Sequence, residues 1–173
     1  MNHRFRAAAG LFAAASICAA CLAARAQTPT SDAVVASDKA DLTVHAAGTF
    51  DVKLNPLPTY DTTEGSMLGR MSIDKQYHGD LEGTGTGEML TAMTEDKDSG
   101  GYVAVERVNG TLQGHHGTFE FVHRGIMTKG SPDLMVTVVP NSGTDELKGI
   151  MGSMAIEVAD GKHSYRFDYT LPD

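Results

Sequence analysis

The sequence predicts an all-β protein of eight strands, and two observations support that prediction. From residue 41 onward, apolar residues alternate with polar ones in successive runs, as in strands with one buried face, and no apolar period typical of helices appears. Turn-forming residues separate the runs by short loops, so consecutive strands should pair as antiparallel hairpins. Because open sheet edges invite aggregation, these hairpins are expected to close into a barrel or to pack as a sandwich.

The first four runs each place one set of residues on the inner face. The third run begins with Gly83, Gly85 and Gly87, which leave space for a sharp bend of the strand or for bulky side chains from across the interior. In the fourth run, Asn109-Gly110 resembles a turn, but too few residues follow it before the next glycine, so we expect a bulge or a bend there. The inward sets are Val44, Ala46, Phe50, Val52 and Leu54; Met71, Ile73, Lys75 and Tyr77; Met89 and Met93; and Tyr102, Ala104, Glu106, Val108 and Leu112.

The last four runs continue the alternation. Asp160-Gly161 separates the final two runs and predicts a two-residue hairpin turn, because both turn positions require positive φ. The run at 134–139, LMVTVV, is apolar on nearly both faces, which indicates that something covers its outer side. The other inward sets are Phe119, Phe121, His123 and Met127; Ile150, Met154, Ile156 and Val158; and His163, Tyr165, Phe167, Tyr169 and Leu171.

The first 26 residues have the three parts of a cleavable export signal. Arg4 and Arg6 supply the positive start, and a small-x-small cleavage site ends at Ala26. The apolar stretch between them is shorter than the roughly 20 residues that span a bilayer. We therefore predict cleavage after Ala26, a flexible leader over 27–40, a domain over 41–173 and a periplasmic or secreted protein. Lipid attachment at Cys21 and a retained membrane anchor are the alternatives.

The predicted mature chain is strongly acidic and has no cysteine. Of the 14 basic residues, Arg4, Arg6 and Arg25 leave with the signal, so 11 remain against 22 acidic residues, a formal charge of −11. Such a chain repels phosphate backbones, which argues against nucleic acid as a partner. Both cysteines precede residue 26, so we expect no disulfide. A domain of this size buries roughly two-thirds of its unfolded surface and can be stable without one.

Four segments make the chain resemble a known family. They are LGRMSIDKQYHGDLEGTGTGEMLTA, GYVAVERVNGTLQG, GTFEFVHRG and VTVVPNSGTDELKGIMGSMAIEVADGKHSYRFDYTLP, and the resemblance covers roughly residues 44–172 in order and spacing. By these segments the chain is similar to the bacterial domain-of-unknown-function family 3224, which has no established activity. The resemblance implies a single eight-stranded antiparallel β-barrel of the allene oxide cyclase and dirigent type, with a small lumen. It implies no function, because a fold hosts many activities.

Four polar side chains fall on the inward faces: Lys75, Glu106, His123 and His163. A buried carboxylate without a partner is strongly unfavourable, so we expect Glu106 to pair with Lys75. The pair is then either a structural contact that fixes strand register or part of a site in which Glu106 anchors or protonates a ligand. His123 is either a core histidine with satisfied hydrogen bonds or a site residue.

No motif predicts a metal or a cofactor. His115 and His116 are adjacent in a predicted hairpin loop, and adjacent histidines do not readily face one ion. The segment GTGTGE lacks the last glycine of a dinucleotide-binding motif and lies in a predicted strand. The segment DKDSGGYVAVER begins like a calcium loop but has Arg107 where a bidentate glutamate is required.

Three functions are compatible with the sequence. The first is a non-catalytic barrel that binds a small, largely apolar molecule through Lys75, Glu106, His123, Tyr102 and Tyr165. The second is an enzyme of the cyclase or isomerase kind, with Glu106 as catalytic acid or base in a dry lumen. The third is a structural or self-associating barrel with a filled core, a homo-oligomer whose subunit interface is the apolar run at 134–139. We favour the first, with no cofactor and no membrane span.

Overall fold

The computed structural model describes residues 42–172, and its eight strands form one closed barrel in which each strand pairs with the next and the last returns to the first. All eight pairings are antiparallel. The predicted all-β barrel is confirmed, and the sandwich alternative was wrong. The strands are β1 (Val44–Leu57), β2 (Leu68–Gly79), β3 (Leu81–Met93), β4 (Gly100–Leu112), β5 (His115–Thr128), β6 (Ser131–Val138), β7 (Met151–Ala159) and β8 (Lys162–Thr170), and a short 3-10 helix spans Asp145–Leu147.

The turns follow the positions where the backbone has positive φ. Asp160 (φ 51°) and Gly161 (φ 75°) form the predicted hairpin turn between β7 and β8. Strand β4 continues through Asn109-Gly110 with unbroken pairing on both sides, so neither a turn nor a bulge occurs there. The β4–β5 turn lies at Gln113-Gly114. The expectation that His115 and His116 lie in a loop was wrong, because they begin β5.

The interior has two unlike halves along the barrel axis. At one end, which we call the packed half, aromatic side chains fill the interior: the ring of Phe121 lies 5.0 Å from that of Phe119 and 5.4 Å from that of Phe167. Leu147 of the 3-10 helix and the following Ile150 are also fully buried there and help close that end. At the other end, which we call the hollow half, the inward side chains surround an empty cavity.

One strand boundary of the barrel is barely paired. Strands β6 and β7 share the single pair Thr137↔Ser153, whereas the β5–β6 ladder runs from Phe121↔Val138 to Thr128↔Ser131. Residues 131–136 of β6 and 154–159 of β7 therefore flank each other without pairing, and we call this boundary the β6–β7 seam. The outer side of β6 is not covered by the described residues as the sequence suggested, because Met135 stays 55% exposed.

No helix within residues 42–172 is long and apolar enough to cross a membrane. The predicted signal over 1–26, the leader over 27–40 and the lipidation alternative at Cys21 lie outside the described residues, and they stay predictions.

Candidate ligand-binding site in the barrel lumen

The hollow half contains a cavity of about 450 Å³ that is partly open to solvent. This volume lies within the roughly 300–1,000 Å³ of small-molecule sites in proteins. The wall is largely apolar, and all eight strands contribute to it. Both sides of the β6–β7 seam belong to the lining, through Leu134 and Ile156. The other principal lining residues are Phe50, Val52, Leu54, Ile73, Lys75, Met89, Thr91, Met93, Tyr102, Ala104, His123, Gly125, Met127, Val158 and His163.

A charged pair lies at the boundary between the two halves. The Nζ atom of Lys75 on β2 donates to Oε2 of Glu106 on β4 at 2.7 Å, and the two side chains are 6% and 0% exposed. Lys75 and Glu106 lie on the two strands that flank β3, since Lys75 pairs with Gly85 and Glu106 with Gly87. The predicted pairing of these two residues is confirmed.

Tyr77 and Gly85 complete the surroundings of the carboxylate. The hydroxyl of Tyr77 donates to Oε1 of Glu106 at 2.8 Å and accepts a hydrogen bond from Nζ of Lys75 at 3.2 Å. A Cβ atom at Gly85 would overlap Oε1 of Glu106 and press on the ring of Tyr77. The space that this glycine leaves is therefore occupied by a carboxylate from the adjacent strand β4, and not by a bulky side chain from across the interior.

His123 on β5 approaches the same carboxylate without completing a hydrogen bond. Its Nε2 atom lies 3.0 Å from Oε2 of Glu106, yet Nε2 has no hydrogen-bond partner among residues 42–172. The distance permits a bond, so the direction of the ring N–H must miss the oxygen. The Nε2 atom is therefore a buried polar atom that lies close to the carboxylate but has no hydrogen bond among the described residues.

Two opposing effects set the pKa of Glu106. Burial by itself raises the pKa of the carboxyl, because desolvation penalises the charged form. His123 and Lys75 act in the opposite direction and outweigh burial, so the pKa of Glu106 lies below its ordinary value of 4.5. The carboxylate is therefore charged at neutral pH. Burial, together with the same carboxylate, raises the pKa of the Tyr77 hydroxyl well above 10, so Tyr77 stays a donor.

The sequence-predicted site residues do not all reach the cavity. Lys75, His123 and Tyr102 line it, whereas Glu106 and Tyr165 do not. Glu106 is enclosed by Lys75, Tyr77 and β3, so a ligand in the cavity meets Lys75 and not the carboxylate behind it. The Tyr165 hydroxyl accepts the N–H of Leu81 at 2.9 Å.

Two parts of the site were missed by the sequence reasoning. Tyr77 was placed on the inner face but not recognised as a partner of Glu106, although its position two residues after Lys75 on the same face was the available signal. The β6–β7 seam left no signal, because side-chain alternation does not report whether two strands pair. His163 lies at the cavity wall as its alternation predicted, with its ring 4.9 Å from that of Phe50.

Within residues 42–172, no group of three or more His, Cys, Asp or Glu side chains is placed to hold a metal ion.

Two comparisons relate the chain to known proteins. The model of the family described as "Protein of unknown function (DUF3224)" matches residues 46–169. The structure is similar to the crystal structure of a protein of unknown function from the DUF3224 family of Shewanella oneidensis MR-1. The two share 47% sequence identity with a TM-score of 0.72, over 76% of this chain and 99% of that one. A comparison with curated proteins finds no match.

Proposed function

The chain belongs to the DUF3224 family, whose function is unknown, and from the geometry of its lumen we propose that it binds a small, largely apolar molecule inside the barrel. The observation that carries the proposal is the cavity of about 450 Å³ in the hollow half. A core that served stability alone would be expected to pack without such a void, because protein interiors are close-packed and voids are unfavourable. The predominantly apolar wall with a small polar cluster on one side is typical of ligand sites.

The test uses the apolar fluorophore N-phenyl-1-naphthylamine, whose emission increases in apolar surroundings. We expect saturable binding to the full chain and loss of that binding in Ile156→Trp, because Ile156 lines the cavity and the larger ring would fill it. Thermal unfolding of the variant establishes that it is folded. If Ile156→Trp fails to fold, Ala104→Leu, which extends into the same cavity, replaces it.

The matched control is Val103→Ser. Val103 is the neighbour of Ala104 on the outer face of β4 and is 52% exposed. If the probe bound to the outer surface, Val103→Ser would reduce its binding and Ile156→Trp would not. Binding in the lumen gives the opposite result. Binding that survives in both lumen variants contradicts the proposal.

We also propose that the protein is exported, since the first 26 residues have the composition of a cleavable signal. The mass of the mature protein tests this directly. Cleavage after Ala26 gives an N-terminus at Gln27, whereas lipid attachment gives a modified N-terminus at Cys21. An intact Met1 in the cell that produces the protein contradicts export.

Self-association is a second candidate, favoured by exposed apolar side chains on the outer faces of β3, β4 and β5. Leu90 pairs with Val103 and Val105 with Val122 on adjacent strands, and all four are 45–55% exposed. Clustered apolar surface of this kind often marks protein interfaces. Sedimentation of the protein and of Val105→Asp tests it: an oligomer that Val105→Asp dissociates supports this surface, and a monomer at all concentrations excludes it.

A further inference from the structure

We propose that the ligand of the lumen carries a hydrogen-bond acceptor, such as a carbonyl or carboxylate oxygen, at the end that lies against Lys75. The inference rests on the proposed function and goes beyond it by naming the chemistry of the ligand's polar end. At the boundary between the packed and hollow halves, Lys75 has an unused hydrogen-bond donor, whereas the acceptors of Glu106 are already occupied.

Lys75 has one donor more than its partners use. An ammonium group has three N–H donors and no acceptor. Two of the three are directed to Glu106 Oε2 at 2.7 Å and to the Tyr77 hydroxyl at 3.2 Å. The third has no oxygen or nitrogen acceptor among the described residues; the ammonium lies 4.6 Å from the centroid of the Phe50 ring, a weaker contact than a hydrogen bond, and Lys75 lines the cavity. A donor in largely apolar surroundings is strongly unfavourable when it stays unpaired, so an acceptor oxygen of a ligand would stabilise it.

The acceptors of the cluster, in contrast, are out of reach. Both carboxylate oxygens of Glu106 already accept hydrogen bonds, from Tyr77 and Lys75, and the side chain is 0% exposed. Glu106 is absent from the cavity wall. A ligand that brought a donor to this depth would meet the ammonium of Lys75 first and would be repelled if it were a cation. The floor of the cavity therefore selects acceptors.

The overall charge of the chain makes this selection measurable. The formal net charge is −8, so the surface as a whole attracts cations and repels anions. An anionic ligand that binds more tightly than a cation of the same shape must therefore owe its preference to a local group. Lys97 at the rim also lines the cavity, but it is exposed. It is thus the natural control for Lys75.

The experiment measures displacement of N-phenyl-1-naphthylamine by two biphenyls of similar size, 4-phenylbenzoate and 4-phenylbenzylammonium. We expect the benzoate to displace the probe at a concentration about tenfold lower, the order of one charge-assisted hydrogen bond. Equal displacement by both compounds, or better displacement by the cation, overturns the inference. Failure of the probe to bind in the lumen instead overturns the proposed function, so the two failures are distinguishable.

Variants then assign the preference to Lys75. Lys75→Met leaves the Glu106 carboxylate buried without its cation, so the informative variant is the double change Lys75→Met with Glu106→Gln, which removes both charges. We expect N-phenyl-1-naphthylamine still to bind to this variant, and we expect the benzoate to displace it no better than the benzylammonium does. Lys97→Met should keep the preference for the benzoate. A preference that survives the double change or disappears in Lys97→Met contradicts the role of Lys75.

Discussion

The packed and hollow halves are built from the same eight strands by the same alternation, yet one is solid and the other is empty. In the packed half, Phe119, Phe121 and Phe167 are fully buried and their rings lie within 6 Å of one another. In the hollow half, the inward positions of the same two strands, β5 and β8, carry His123, Gly125 and His163 at the wall of the cavity. Stability can therefore be concentrated at one end of a barrel, which leaves the side chains at the other end free to line a cavity.

We expect the largest loss in the free energy of unfolding from a substitution in the packed half. Phe167→Ala removes a ring that contacts Phe119, Phe121 and Tyr169, and we expect the free energy of unfolding to fall by about 4–5 kcal/mol, the upper part of the range for such changes. Ile156→Ala in the hollow half should lower it by only about 1 kcal/mol, because that side chain already borders a cavity. Urea unfolding measures both, and equal losses would contradict the division into two halves.

The boundary between the halves depends on the buried ion pair. Glu106→Gln keeps the shape of the side chain but leaves the Lys75 ammonium buried without a counter-charge. We expect the free energy of unfolding to fall by about 3 kcal/mol. The double change with Lys75→Met should recover most of that loss, since no unpaired charge then remains. If the double variant is as unstable as Glu106→Gln, the loss does not come from the unpaired charge of Lys75, and this explanation is wrong.

Gly85→Ala tests whether the carboxylate really occupies the space beside β3. The added Cβ would overlap Oε1 of Glu106, so we expect a loss of about 2 kcal/mol in the free energy of unfolding. A stabilising effect, as is common when glycine in a strand is replaced, would mean that Glu106 is not held against β3.

At acidic pH, the difference in the free energy of unfolding between the protein and Glu106→Gln should become smaller. The pKa of Glu106 is lowered in the folded state, so its charge stabilises the fold above the unfolded pKa of about 4.5 and this contribution is lost as pH falls through the folded pKa. We therefore expect the stability difference between the two proteins to be constant near neutral pH and to shrink below about pH 4.5. Urea unfolding at several pH values measures it, and a difference that grows in acid has the wrong sign for this cause.

The smallest effect is expected on the outer surface, where the same substitution serves as a control for Glu106→Gln. Arg70 and Glu88 form a two-pronged ion pair between β2 and β3, but their side chains are 39% and 56% exposed. Glu88→Gln should change the free energy of unfolding by less than about 1 kcal/mol, because water screens the pair. A loss as large as that of Glu106→Gln would mean that the buried ion pair is no more important for stability than the exposed one.

Alternation predicted the inside and outside of the barrel well because side chains on a strand point to opposite faces. It placed Lys75, Glu106 and His123 together inside, and burial of unlike charges then required the first two to meet. It did not predict that Glu106 would be shut off from the cavity, since that depends on how far Tyr77 and Lys75 reach across the neighbouring strand.

The hollow half could not be read from the sequence for a related reason. Both halves present apolar residues inward, and whether these meet in the middle depends on summed side-chain volumes and on the positions of the strands around the axis. The three phenylalanines of the packed half lie on β5 and β8, neither of which forms the β6–β7 seam, whereas the hollow half lies beside that seam. Strand separation is a property of the assembled barrel, and no local pattern encodes it.

The β6–β7 seam is the boundary at which two neighbouring strands of the barrel can separate most easily. Residues 131–136 and 154–159 each have a laddered neighbour on one side, so parting the two strands breaks one rung, Thr137↔Ser153, rather than a full ladder. Local opening requires less free energy where fewer backbone bonds hold a segment. Amide protons along these two strands should consequently exchange with solvent faster than those of β3 and β4. Separation of β6 from β7 would widen the lumen while the packed half stays folded.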